Sequence, residues 1–130
     1  MTERDVQAAI MRAFAGTRDV ALFRNSVGET EEWNDGPRGL ASRHIRYGLG
    51  TGSADLVGVL TVGGVGVAIA LEVKTAKGRT TPAQDAWLAA ARRRGACAAV
   101  VRSVEDARRV IDEEREIGRA SCRERVSSPV

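Results

Sequence analysis

The sequence predicts an α/β domain in the order α-β-β-β-α-β-α, a mixed central sheet flanked by helices. Two β-rich runs, residues 56–62 and 65–73, are separated only by Gly63-Gly64, a pair suited to the positive φ angles of a two-residue primed turn. Both runs are apolar on both faces, as expected of central strands covered on each side. Three other segments carry apolar residues at helical spacing and supply that cover. With 130 residues, the chain has room for one such domain and not two.

The first helix is read over 3–15, where Val6, Ala9, Ile10, Ala13 and Phe14 form one stripe, with Thr2 as N-cap and Gly16 as stop. Val20 to Phe23 is a short strand ending at Arg24-Asn25. Residues 28–52 form a long, polar, glycine-studded segment with Pro37, Arg38, Arg43, His44 and Arg46, read as a loop of the length that is either functional or disordered. After the hairpin, Pro82 at the first helical position, the stripe Trp87, Leu88 and Ala91, and Gly95 just past the end mark a helix over 82–94. Ala96 to Val101 is another buried strand, and Val104 to about Arg115 an amphipathic helix with Ala107, Val110 and Ile111 inward. Residues 116–126 resemble a translated sequencing adapter, so the folded domain is set at 1–115 and residues 116–130 are expected to be a non-native, disordered tail.

Composition narrows the function. No apolar run approaches the roughly 18–20 residues that cross a bilayer, and the start is unlike a signal peptide, so a soluble, cytoplasmic protein is expected. Cys97, Cys122 and the single His44 have no metal-ligand spacing, which argues against zinc and against a disulfide framework. A net charge of +3 is a weak argument for nucleic acid, and the distribution of charge matters more.

With Gly63-Gly64 as the turn, antiparallel partners have numbers summing to 127, so Asp55 falls opposite Glu72 on one face. Lys74, two residues on, shares that face. Two carboxylates and one ammonium at the open end of an apolar hairpin suit Mg²⁺, which takes one or two carboxylates and completes its shell with water and phosphate oxygens. Phosphodiester hydrolysis requires that chemistry. The chain uses eighteen Arg and only two Lys, Lys74 and Lys77. A lysine kept beside Glu72 points to a need for a compact amine that guanidinium does not meet.

Gly52-Ser53-Ala54-Asp55-Leu56-Val57-Gly58, Leu71-Glu72-Val73-Lys74-Thr75 through Gly78-Arg79, and Gln84 resemble the PD-(D/E)xK nuclease superfamily, specifically its virus-type replication-repair nuclease (VRR-NUC) domain. The similarity takes in Arg24 to Gly28 and Val100 to Ser103 and spans residues 3–112. It implies a restriction-endonuclease-like αβββαβ core, dependence on Mg²⁺ with Mn²⁺ able to substitute, and cleavage of DNA. By position, Asp55 and Glu72 would be metal ligands with the Val73 carbonyl, Lys74 the catalytic lysine, and Glu3 the helical acid of the metal site. Ala54 stands where the superfamily name has proline. Gln84 has two readings, as the third residue of a capping box begun by Thr81 and as a residue at the active-site edge.

Arg38, Arg43 and Arg46 in the long segment are expected to hold phosphates, with Arg24, Asn25, Lys77 and Arg79 in the same DNA-contacting set. Trp33 could stack on an unpaired base or pack locally. The expected substrate is branched, flapped or nicked DNA in a phage or mobile-element context, and a homodimer with two sites would suit junction resolution. RNA cleavage by the same chemistry and a non-catalytic nucleic-acid-binding module are the alternatives.

Overall fold

A computed structural model of the protein describes residues 1–127, with side chains through residue 118. Helix α1 (Glu3–Phe14) begins with a complete capping box, in which the Thr2 side chain and backbone exchange hydrogen bonds with Asp5, and Ala15 caps its end. Strand β1 (Val20–Arg24) follows, then β2 (Gly28–Gly36), β3 (Gly39–Tyr47), β4 (Leu56–Val62), β5 (Val65–Val73), α2 (Pro82–Arg93), β6 (Cys97–Val101) and α3 (Val104–Ser127).

The main sheet has the order β1-β4-β5-β6, antiparallel except for the parallel β5/β6 pair that α2 connects. Its central hairpin takes the expected register, Leu56 opposite Leu71 through Val62 opposite Val65, with Gly63 and Gly64 at φ 57° and 79°. Both turn residues sit in the left-handed region, where a side chain would be strained.

One face of the sheet is sealed by α1 and α3. Val6, Ile10 and Phe14 from α1 and Ala107 and Ile111 from α3 close over Leu56, Leu60, Ile69, Leu71 and Val73. Each large aliphatic side chain buried there contributes roughly 1.5–3 kcal/mol. The opposite face is only half covered, a departure from the expectation of strands sheltered on both sides. Helix α2 seats Leu88 on Ala54, Ala70 and Ala98, while Phe23 and Val59 on the β1/β4 half remain exposed. Cys97 is buried, and burial, then Glu114 and Glu113, push its thiol up to about 11, so it is an inert part of the packing.

Two further expectations are corrected. Residues 28–47 are not a loop: β2 and β3 form their own antiparallel hairpin, closed by Pro37-Arg38 and by Gly39 at φ 96°. Its residues are almost all exposed on both faces, so the apolar alternation that signals a strand is missing. It is held instead by its backbone ladder and cross-strand charge pairs, Arg43 with Glu32, and His44 and Arg46 with Glu29. Helix α3 also runs beyond residue 115, through Ser127. Arg115 grips Asp19 through two hydrogen bonds of 2.7 and 2.8 Å, and Gly118 lies so close to Val62 that a Cβ would collide with it. Those two contacts fasten the helix where the sequence reading ends it. Residues 128–130 of the expected tail lie outside the described residues.

Candidate active site

The open end of the β4/β5 hairpin gathers the ionisable groups. Asp55 immediately precedes β4, one step beyond the Leu56–Leu71 pair, and thus faces Glu72. Its Oδ2 accepts a hydrogen bond of 2.8 Å from the Val73 N–H, so the carboxylate takes the place of a backbone acceptor and extends the ladder by one rung. The Val73 carbonyl lies on the same edge of β5 as that N–H, which turns it toward Asp55.

Glu72 is buried to 1% exposure. One oxygen accepts from Gln84 Nε2 at 3.0 Å and lies 3.6 Å from Lys74 Nζ. The other, Oε2, is buried with no hydrogen-bond partner. Burial first, and then the neighbouring Asp55 carboxylate, raise the Glu72 pKa to about 7 despite Lys74. A buried acceptor left without a donor costs about 1–3 kcal/mol or more, which a cation between the two carboxylates would offset.

Lys74 is itself buried, and its ammonium lies between Glu72 and Glu3 Oε1, 3.7 Å away. Its backbone N–H is anchored on the Val101 carbonyl. Glu3 therefore stands next to the lysine, from the start of α1, and its carboxylate neutralises the ammonium. The capping-box reading of Gln84 holds, and the same side chain also reaches Glu72. Its Oε1 accepts from the Thr81 N–H to complete the α2 capping box, and its Nε2 donates to Glu72.

The other sequence-selected residues divide. Lys77 and Arg79 are exposed on the segment following Lys74. That segment is held by Arg102, whose Nη1 donates to the carbonyls of Thr75, Ala76 and Gly78; the sequence reading had no signal for this role beyond a lone arginine at a strand end. Arg24 pairs with Leu56, so strand alternation places it on the face opposite Asp55. Arg43 and Arg46 are tied to glutamates on the β2/β3 hairpin, and Arg38 is at its tip, nine strand residues or about 30 Å from its base. The structure does not bring these three to the carboxylates.

Asn25 serves as a latch. Its Nδ2 donates to Ser53 Oγ and to the Ala54 carbonyl, both at 2.8 Å, and its Oδ1 accepts from the Leu49 N–H. Its backbone N–H reaches the Asp55 carbonyl. Every polar atom of the side chain is thus spent on positioning residues 49–55. Asn25→Ala is expected to cost about 2 kcal/mol, three net hydrogen bonds of roughly 0.5–1.5 each, in urea denaturation. A loss below 0.5 kcal/mol on that scale would remove the latch.

Asp55, Glu72 and the Val73 carbonyl form a hard, all-oxygen donor set. Among the described residues no three His, Cys, Asp or Glu side chains gather as a metal cluster. Two carboxylates and a carbonyl are hard donors of the kind that Mg²⁺ or Mn²⁺ accept while keeping several waters. No helix among the described residues is long and apolar enough to cross a membrane. The family model of the VRR-NUC domain matches residues 1–105, a stretch containing all of these groups. No curated protein matches the chain.

Proposed function

Because the chain belongs to the VRR-NUC domain family, a nuclease family, we propose that it is a divalent-metal-dependent endonuclease that hydrolyses DNA phosphodiester bonds at the open end of the β4/β5 hairpin. The observation that carries this reading is the partnerless Glu72 Oε2, buried opposite Asp55 and beside Lys74. A protein that used this site only for its fold would gain by satisfying or removing that charge.

Asp55, Glu72 and the Val73 carbonyl would hold Mg²⁺ or Mn²⁺. Such an ion supplies polarisation of the phosphoryl oxygen and a bound water of lowered pKa. Asp55 is kept in position by the Val73 N–H, and Gln84 fixes the rotamer of Glu72, so the donors are preorganised before substrate arrives. Lys74 donates hydrogen bonds toward the attacking oxygen and the charge that develops on phosphate. Glu3, 3.7 Å from that ammonium, helps to hold it in place. Lys77 and Arg79 provide phosphate contacts beside the scissile bond, which position the strand without reading sequence. The substrate proposed is branched, flapped or nicked DNA in the replication or repair of a phage or mobile element, within a host cytoplasm.

The test is a Mg²⁺ assay on supercoiled plasmid, single strands, flaps, four-way junctions and the matching RNAs, with binding measured in parallel in Ca²⁺. Lys74→Ala is expected to lower cleavage about 10²–10³-fold while binding is retained. Equal cleavage by wild type and variant would overturn the assignment of Lys74. Binding without cleavage by the wild type would identify a non-catalytic module, and preferential cleavage of RNA would replace the substrate.

A further inference from the structure

The turn that follows Lys74 carries two cations, and a residue from another strand gives it its shape. We propose that Arg102 is a positioning residue for the substrate, locking residues 75–79 so that Lys77 and Arg79 grip phosphates of the strand beside Lys74, a role that rests on the nuclease function proposed above.

The composition of the turn explains why it needs a lock. Residues 75–79 read Thr-Ala-Lys-Gly-Arg, with no large apolar side chain to bury, and they form neither helix nor strand. Held only at its ends, such a segment samples many conformations, and a ligand that ordered it would lose affinity by that entropic cost. The ends are fixed by the Lys74 N–H on the Val101 carbonyl and by the Thr80 hydroxyl on Asp85. Between them the Gly78 N–H donates to the Thr75 carbonyl at 3.1 Å, and the carbonyls of Thr75, Ala76 and Gly78 converge on one point.

Arg102 occupies that point. It lies one residue past β6, and because Val73 pairs with Val101 in the parallel β5/β6 register, it stands beside the start of the turn. Its Nη1 is 2.5, 3.4 and 2.7 Å from the oxygens of Thr75, Ala76 and Gly78. The two N–H groups of that nitrogen satisfy the two short contacts, and bonds from a charged donor are stronger than neutral ones. The Arg102 backbone N–H donates to Asp106 at 3.0 Å, so the clamp is itself tied to the first turn of α3.

Position and charge suit the turn to phosphate. A Cβ on Gly78 would lie 3.5 Å from the Lys74 Cβ, so the turn folds back against the lysine of the site. Lys77 and Arg79 are exposed. Among the described residues, neither they nor Arg102 pairs with a carboxylate, whereas Arg43 and Arg46 of the β2/β3 hairpin are tied to glutamates. A surface that tracks phosphates carries unneutralised cations, and these stand at the carboxylates rather than along the hairpin.

Trypsin digestion in EDTA and binding of a flapped DNA duplex in Ca²⁺ test the role together. In Arg102→Ala, cleavage after Lys77 and Arg79 is expected to run at least about tenfold faster than in wild type, the turn now opening locally, with circular dichroism unchanged. The same variant is expected to bind DNA about tenfold more weakly, and Arg102→Lys, which keeps one charged nitrogen, to fall between the two in both assays. Lys77→Ala/Arg79→Ala is expected to weaken binding at least as much as Arg102→Ala. Adding Arg102→Ala to that double variant is expected to cost nothing more, because Arg102 acts through the turn. A further loss of about tenfold in the triple variant, with a salt slope shallower by about one, would place Arg102 on a phosphate itself and overturn the positioning role. Wild-type digestion or wild-type affinity in Arg102→Ala would overturn it too, as would full affinity in Lys77→Ala/Arg79→Ala. A wild type that binds no DNA would overturn the nuclease reading and this role with it; a wild type that binds while Arg102→Ala is unaffected would overturn this role alone.

Discussion

Glu72→Gln is expected to reduce cleavage about 10³-fold, the scale of losing a charge-stabilising group at a reacting phosphate, and at the same time to make the metal-free protein more stable at pH 8. The two effects have one origin. Burial and Asp55 hold the Glu72 pKa near 7, against an ordinary 4.5. Between those values the folded chain binds a proton that the unfolded chain has released, so stability falls as pH rises through that window. Below pH 4.5 both states are protonated and the penalty is absent; above pH 7 it is fully present. Gln at position 72 can still accept from Gln84 and can donate toward Asp55, with no charge to desolvate. Denaturation of wild type in EDTA is therefore expected to show a stability decline on the order of 1–3 kcal/mol from pH 5 to pH 8, and the variant a flatter profile. Millimolar Mg²⁺ is expected to restore the wild type at pH 8 and leave the variant nearly unchanged. Identical pH profiles for the two proteins would show that Glu72 is not held at a cost for a cation.

The largest effect on folding is expected at Gly58. This residue lies inside β4, paired with Leu22 of β1 and Ile69 of β5. A Cβ there would collide with the Ala21 carbonyl oxygen and lie 2.8 Å from its carbon. Backbone atoms of a paired strand cannot rotate away as a side chain would. Gly58→Ala must push β1 off β4, and with it Asn25, which latches the residues before Asp55. A loss of at least about 3 kcal/mol in urea denaturation is expected, beyond the ordinary range for overpacking. Gly64→Ala provides the contrast. Nothing lies within 4 Å of its added Cβ, but φ is 79°, so only the left-handed conformation is penalised, by about 1–2 kcal/mol. Equal midpoints for the two variants would contradict the close approach of β1 and β4.

The features legible from sequence are those written in local chemistry. Gly63-Gly64 set a tight turn, the turn set the register, and the register put Asp55 opposite Glu72. Thr2 and Thr81 marked the helix starts because a capping side chain acts within four residues of itself. The β2/β3 hairpin was not legible because neither of its faces is buried, and burial is what imprints periodicity on a strand. The Gly36-Pro37-Arg38-Gly39 turn and the opposed runs of glutamate and arginine were the available signals. The three roles of Asn25, the hold of Arg102 on residues 75–78 and the contact of Glu3 with Lys74 join residues 24 to 71 positions apart, and no local pattern encodes such pairs.

By itself, then, the order of residues determined the strands of the main sheet, the starts of the helices, the central register and the carboxylates at its mouth, since turns, caps and side-chain alternation act over a few residues. Only the tertiary structure decided that Glu72 is sealed from water with one oxygen unmatched, that Lys74 lies between two acids, and that half of one sheet face stays bare beside the β2/β3 hairpin. Burial and electrostatic environment are sums over everything that packs nearby, and they come into being only when distant segments close on one another.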